Sequence, residues 1–548
     1  MEFLYTRHNL DATQSKLERF FEIVPGALSW GIIIGMVALS LAKPLLAAVI
    51  MIAFLLYWVM RLIYMNIFLV LSYFRLETEK KIDWSKRIKE IDKLAVEKKI
   101  PSDNIIIAGF KEKIANLTYR REVAGLLKSG QFPPAFENLY HLVLIPVIKE
   151  GLNIVEPGIA GILSGQYPAS RIVLIIALEE SAKIEVKADM ESIVQKYKGS
   201  FMDIFIVIHP SGLEGEARVK GANIAYSAKE AARYFRDRGI AFENVIVSCF
   251  DADTVPQGNY FSCLTYHFMI TPERLKASFQ PIPVYHNNIW DSASFARIID
   301  IGTSFFQLVE ATNPNKLVTF SSHSMSFKAL VDVGFWPVDM VSDDSAIFWK
   351  AFIHFNGDYR VVPVYTTVSM DVATGNSFRE TFMNIYKQKR RWAWGVENFP
   401  IVIRAFIVKR SIPVYKRINF GIKLLESFVS WATWSFLLAF ISWLPAIFSG
   451  REFSTSTVYY IAPRIRGVIF SLSSFGLLVC MVISLLLLPA RKDSNAALSK
   501  IRHSLEWVFI PIIILALSAL PALDAQTRLM LGKYMEFFVT DKSRKNGQ

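Results

Sequence analysis

Cysteine is nearly absent: Cys249, Cys263 and Cys480 are the only three in a chain of 548 residues. They form no disulfide framework and no metal-ligand spacing, which excludes small disulfide-stapled scaffolds and zinc modules. Cys249 lies in an apolar strand-like run and Cys480 in an apolar helical one, so both read as buried fillers of a core facing a reducing cytosol. Internal repeats and low-complexity tracts are also missing. Basic stripes of the kind that track a phosphate backbone are lacking, so no nucleic-acid partner is expected. A short leader-like apolar core with a convincing cleavage site is not evident either; the first apolar block is far too long for one.

What is present is apolar length. Hydrophobic residues make up 52% of the chain, too many for a purely soluble protein, and 548 residues are too many for one ordinary domain. The 61 basic and 48 acidic residues leave a net charge of +13. Much of the basic excess stands beside apolar runs, as at Lys409-Arg410, Lys416-Arg417, Arg491-Lys492 and Lys542 to Lys545, which is the positive-inside pattern of a membrane protein. From Gly26 to Phe74 the sequence is almost continuously apolar. A bilayer core takes ~20 apolar residues per helix, so this block predicts two helices with a turn near Lys43. Arg61 inside the second helix is expected to snorkel to the interface rather than to line a path. Further spanning candidates lie near 425–448, 465–490 and 504–523, and Ala405 to Tyr415 mixes apolar and basic residues like an interfacial helix.

Between the apolar ends the period changes. Residues 75–138 are charged and helical in pattern. Leu142 to Pro146, Arg171 to Leu178, Phe201 to Ile208 and Val245 to Phe250 are short apolar runs that predict buried strands, with a helix over Gly221 to Arg238. This alternation predicts a mostly parallel α/β sheet with ligands at the carboxyl ends of its strands, where Lys149-Glu150, Glu179-Glu180 and Asp251 stand.

Three runs carry the chemistry: Asp251-Ala-Asp253, Ser342-Asp343-Asp344, and Gln388-Lys-Arg-Arg391-Trp392. Asp251 and Asp253 offer alternating carboxylates at a strand end, which suit a hard divalent ion or merely cap the next turn. Asp343 and Asp344 open an apolar helix, where acidic residues are favoured by the helix dipole in any case. Gln388, Arg391 and Trp392 offer hydrogen bonds and a flat apolar face for a sugar, or else form an amphipathic helix with a buried tryptophan. In order and spacing the three runs resemble the Asp-x-Asp, Thr-Glu-Asp and Gln-x-x-Arg-Trp motifs of the membrane-integrated family 2 glycosyltransferases, which include cellulose, chitin and hyaluronan synthases.

The resemblance implies a Rossmann-like GT-A glycosyltransferase domain inserted between N-terminal and C-terminal transmembrane helices. On that reading residues 1–74 are a membrane hairpin and 75–138 a cytosolic connector. Residues 139–400 are the catalytic domain, and 401–548 hold the interfacial helix, the later spans and a tail. It implies a divalent metal, Mg²⁺ or Mn²⁺, held by Asp253 with Asp251 nearer the ribose or the metal shell. Asp344 is implied as the base, with Asp343 next in line because Ser-Asp stands where the family has Thr-Glu. Gln388, Arg391 and Trp392 are implied to bind the acceptor. At the nucleotide end, Pro146 and Glu150 resemble the family's first-strand motif, and Glu179-Glu180 stand where two Asp residues usually meet the base. The run Arg218-Val-Lys220-Gly221-Ala-Asn223 resembles the family's Lys-Ala-Gly-Ala-Leu-Asn and leaves either Arg218 or Lys220 at the place of the family's lysine. Thr540 and Lys542 match the Phe-x-Val-Thr-x-Lys gating loop of bacterial cellulose synthases, which sets up a conflict. Three C-terminal spans would leave residue 540 on the far side from a cytosolic catalytic domain. One of them, with 504–523 the first candidate, must then be re-entrant or interfacial, or the match is accidental.

The implied activity is an inverting transfer from a nucleotide-diphosphate sugar to a growing polysaccharide, by a multi-pass protein of the bilayer. The alternatives are single-sugar transfer to a lipid-linked acceptor and a transporter or channel with a degenerate transferase domain.

Overall fold

The computed structural model describes residues 3, 5–8, 10–97, 110–448, 457–489 and 496–536. At its centre is an eight-stranded sheet in the order β3-β2-β1-β4-β7-β6-β8-β5. The strands are β1 (Tyr140–Val147), β2 (Ile172–Glu179), β3 (Asp203–His209), β4 (Val245–Cys249), β5 (Val255–Pro256), β6 (Ala277–Val284), β7 (Ser324–Ser326) and β8 (Arg360–Ser369). β3, β2, β1 and β4 pair in parallel. These are the four strands the sequence predicts, and the expected helix follows over Lys220–Asp237. Continuous apolar runs such as Ile172–Leu178, all fully buried, are what a parallel strand covered on both faces requires.

The other half of the sheet departs from the expected parallel arrangement. β7 runs antiparallel to both β4 and β6, β6 and β8 are parallel, and β5 pairs antiparallel with β8. The mixed α/β sheet as a whole keeps the carboxyl ends of β1 to β4 along one edge, and Glu179 and His209 face each other there in register.

Helices flank this sheet on both sides in the chain. Among the described residues four are long and apolar enough to cross a membrane: Ala12–Ala42, Pro44–Glu79, Gly467–Leu487 and Ile501–Met530. A bent pair, Val414–Ala439 with Ile441–Ile447, makes a fifth if its 46° break lies within one span. The break of the N-terminal hairpin falls at Lys43, where Pro44 opens the second helix as proline does without losing a hydrogen bond. Arg61 does not stand alone to snorkel. Its guanidinium is ion-paired to Glu426, with the Tyr57 hydroxyl 3.2 Å and Ser430 Oγ 3.4 Å away. The stretch expected to be interfacial begins within helix Asn398–Val408, whose Ile401, Val402, Arg404 and Ala405 are buried by protein. Arg404 donates to Glu18, Gln14 and the Thr6 carbonyl, each at 2.8 Å.

The segment Ile501–Met530 is held near both ends by helices of the α/β domain. Glu506 accepts from Ser294 at 2.8 Å and lies 3.5 Å from Arg297, while Asp524 accepts from Arg390 at 2.8 Å.

Candidate active site

β4 ends at Cys249, and the next turn carries Asp251 and Asp253 to the sheet edge. The Asp253 side chain is 1% exposed, and its Oδ2 accepts the Asp371 backbone N–H at 2.8 Å. Asn287 Nδ2 donates to the Asp253 carbonyl and to Asp371 Oδ1, both at 2.8 Å. The turn after β4 is thereby tied to the segments that follow β6 and β8. Asp251 accepts from Ser321 Oγ on one oxygen and from Lys220 Nζ at 2.9 Å on the other.

Asp343 and Asp344 occupy the first turn of helix Asp343–His354, where two carboxylates face the positive end of the helix dipole. Ser342 precedes them but does not cap the helix with its side chain, because that hydroxyl donates to Glu397 Oε1 at 2.7 Å and its backbone N–H to the same oxygen at 2.8 Å. Glu397 Oε2 takes the Trp394 indole at 2.8 Å and Arg7 at 2.6 Å. Four donors thus saturate one carboxylate that is 1% exposed. Thr319 Oγ1 donates to the Asp344 carbonyl at 2.6 Å, so the loop is pinned from both sides.

Of Arg218 and Lys220, it is Lys220 that the structure brings to the carboxylates. Its ammonium lies 2.9 Å from Asp251, 3.0 Å from Asp344 and 3.6 Å from Asp343, while Arg218 is exposed and does not line the cavity that these residues share. Burial alone would lower the Lys220 ammonium, but Asp251, Asp343 and Asp344 together hold it well above the ordinary lysine range. For Asp343, burial pushes the carboxyl up to about 7; Lys220 pulls it down, and the neighbouring Asp344 and Asp251 carboxylates add to the rise. Gly221 makes this placement of Lys220 possible. A Cβ there would meet the Pro337 carbonyl oxygen at 2.3 Å and Asp343 Cβ at 3.2 Å. Gly221→Ala is therefore expected to cost ~1–3 kcal/mol of stability and to displace Lys220; thermal unfolding and donor affinity measured together check it.

Helix Phe378–Ala393 brings the third run to the same place. Gln388 is 5% exposed, and its Oε1 has no hydrogen-bond partner among the described residues. The Trp392 ring lies under the Lys389 ammonium at 3.7 Å, with Phe320 edge-on at 5.6 Å. Lys389 is anchored by Asp300 at 2.7 Å in a fully buried pair, so one face of the indole is fixed by the fold.

Asp251, Asp253, Asp343, Asp344, Gln388, Arg391 and Trp392 all line one cavity of about 120 Å³, together with Lys220. Pro146, Glu150, Glu179 and Glu180, expected from the sequence at the nucleotide end, lie at the same edge of the sheet but outside that cavity. Glu150 accepts the backbone N–H groups of Ile148 and Lys149 at 3.0 Å, and Glu180 that of Ser211 at 2.8 Å. Glu179 lies 3.2 Å from His209, which also contacts Glu216 at 2.8 Å. Thr540 and Lys542 lie outside the described residues. The cavity also contains residues that sequence reasoning passed over, among them Tyr285, Ser321 and Asp371. Asp371 had a readable signal, a carboxylate just past a strand end; Ser321 had none, being one serine of two in a polar loop.

Residues 246–520, half of the chain, match the family Glycosyl transferase family group 2. The chain belongs to that family and is a glycosyltransferase. Among characterised proteins it is similar to the poly-beta-1,6-N-acetyl-D-glucosamine synthase of Staphylococcus aureus strain COL, with 33% identity over 102 residues. That stretch is 19% of this chain and 22% of the relative, so the chain spans about a fifth of the length of the curated relatives it matches. Among solved structures, a mannosyltransferase from Pyrobaculum calidifontis in complex with GDP-Man and Mn²⁺ is 11% identical, covering 77% of this chain and 99% of that one, at a TM-score of 0.38. Residues 1–349 of S. aureus TarS in complex with UDP-GlcNAc are 13% identical, covering 56% and 88%, at a TM-score of 0.31. Both likenesses are slight and leave the site of this chain to be read from its own residues.

Proposed function

We propose that this glycosyltransferase is a membrane-embedded polysaccharide synthase, which moves a sugar from a nucleotide-diphosphate donor to a growing chain in the cavity around Lys220. The observation that carries the reading is the balance of charge there: Asp251, Asp253, Asp343, Asp344 and Asp371 share the cavity with two cations, Lys220 and Arg391. A diphosphate adds further negative charge, so a divalent cation is needed beside it. The paired carboxylates of Asp251 and Asp253 are the hard oxygen donors that Mg²⁺ or Mn²⁺ takes. When bound, such an ion neutralises the departing diphosphate. On this reading Asp344 accepts the proton of the attacking hydroxyl, and Lys220 and Thr319 hold its position. Gln388 and Arg391 orient the acceptor, and Trp392 carries its terminal ring. Glu179 and Glu180 are assigned to the nucleoside end of the same sheet edge.

The chain's own contacts support four crossings with both chain ends on the catalytic side. Helices Ala12–Ala42 and Pro44–Glu79 go out and back. Val414–Ile447 and Thr457–Leu487 repeat this, and Trp290 donates to the Pro489 carbonyl at 3.3 Å where the last returns. Ile501–Met530, apolar as it is, then lies along the catalytic domain, because Glu506 and Asp524 are both held by that domain's helices. This arrangement removes the conflict over residue 540: Tyr534 sits under Arg7 at 5.3 Å, and Arg7 is one residue away from Ser342 through Glu397. With native cysteines removed, Lys43→Cys is expected to react with an impermeant thiol reagent on intact cells and Lys545→Cys to stay protected. Labelling at 545 removes Thr540 and Lys542 from the nucleotide site.

The function is tested by nucleoside-diphosphate release from a panel of UDP- and GDP-sugars, followed by sizing of the radiolabelled product. A long product distribution is expected, and Trp392→Ala is expected to shorten it by removing a sugar platform worth ~1–3 kcal/mol. A sole product of acceptor plus one sugar, under excess donor, establishes single-sugar transfer instead.

A further inference from the structure

A second cluster of ligand-type side chains lies away from the catalytic cavity. Cys263 and His267 are one helical turn apart on Tyr260–Ile270, so they project from one face. Glu79, the last residue of helix Pro44–Glu79, meets them from the N-terminal hairpin. One ligand atom from each lies within 4.8 Å of the other two. All three residues are buried: Glu79 is 7% exposed, His267 3% and Cys263 0%. None lines the catalytic cavity.

The polar atoms here lack hydrogen bonds in a way that leaves room for a third body. Glu79 Oε1 is taken by Arg75 at 2.6 Å, but Glu79 Oε2 and His267 Nε2 have no hydrogen-bond partner among the described residues. They face each other at an ion-pair distance of 3.7 Å, longer than a hydrogen bond. Two buried polar atoms held only by so long a contact call for an explanation. Two ligand atoms at ~2.1 Å from a tetrahedral ion stand ~3.4 Å apart, close to the observed gap. Glu79 and His267 also line a cavity of about 610 Å³, which gives an ion a way in and leaves a coordination position open.

We propose that Glu79, Cys263 and His267 bind a zinc ion that clamps the end of the N-terminal hairpin to the catalytic domain. The mixed sulfur, nitrogen and oxygen donor set selects a borderline-soft ion over Mg²⁺ or Mn²⁺, so this ion is distinct from the one proposed beside Asp253. Zinc forms a bond to each of Cys263 Sγ, His267 Nε2 and Glu79 Oε2. The thiol proton is released to solvent as the zinc–sulfur bond forms, with no change of oxidation state. The sequence hid the site because its third ligand comes from another part of the chain, and the cysteines make no zinc spacing among themselves.

The test uses the full chain in detergent, stripped with chelator and kept in excess Mg²⁺ so that the catalytic carboxylates are occupied. One equivalent of Co²⁺ is expected to produce thiolate-to-cobalt charge-transfer absorption that Zn²⁺ then abolishes. The band is expected to vanish in Cys263→Ser. In His267→Gln, Zn²⁺ affinity is expected to fall by at least ~10-fold. A wild-type protein without the band, or a band that survives in Cys263→Ser, overturns the proposal. Should Cys263→Ser fail to fold, Glu79→Gln, which is expected to weaken Zn²⁺ binding to the same degree, decides it; unchanged affinity there overturns it equally.

Discussion

Asp344→Asn is expected to lower turnover by ~10²–10⁴-fold while leaving donor binding near its original strength. The substitution keeps the shape of the side chain and removes the proton acceptor. The neighbouring carboxylate is the less accessible one. The Asp343 side chain is 3% exposed against 26% for Asp344, so Asp344 is the one that an acceptor hydroxyl in the cavity can reach. Lys220 keeps a partner in Asp251 when Asp344 loses its charge, so the site is expected to hold its form. Steady-state kinetics and donor titration on the same preparation separate the two effects. Near-normal turnover in Asp344→Asn transfers the role to Asp343.

Asp253→Ala is expected to remove metal-dependent donor binding, a loss of at least ~100-fold, since even groups that only support a ligand cost ~10–100-fold when changed. Asp253 is almost wholly buried and is oriented by the Asp371 backbone N–H, so its carboxylate is presented in one direction only. Calorimetry of UDP binding with and without Mn²⁺ or Mg²⁺ reads the effect. The metal-free signal should match the wild type, and an unchanged metal-dependent component in the variant rules out the assignment.

The sequence made one half of the sheet plain and concealed the other for reasons visible in particular residues. β1, β2 and β4 are largely continuous apolar runs, as parallel strands buried on both faces must be, and the edge strand β3 keeps enough of the pattern to be read. β6 reads Ala-Ser-Phe-Gln-Pro-Ile-Pro-Val, and two prolines in eight residues argue against a strand to any pattern-based reading. It is nevertheless paired on both sides, with a register shift between Pro281 and Ile282. β5 and β7 are two and three residues long, too short to carry a period.

The site divides the same way. Asp251, Asp253, Asp343, Asp344, Gln388, Arg391 and Trp392 were legible because each stands in a short run whose spacing is chemical. Lys220 was ambiguous because the choice rests on the contact of Gly221 with Pro337, which spacing does not encode. Glu397 was invisible: nothing near it in sequence says that it receives Ser342 from one side and Arg7 from the other. The partner of Arg61 was invisible for a like reason, since Glu426 is supplied by a helix far along the chain.

The saturated carboxylate of Glu397 has a consequence for how the loop's order is shared across the chain. The loop that presents Asp343 and Asp344 is fastened to Arg7 through Glu397, a residue nearly four hundred positions away from Arg7. Arg7 in turn lies over the Tyr534 ring. Three segments far apart in sequence therefore meet on one loop, and loosening any one of them is expected to loosen the two carboxylates that the loop carries.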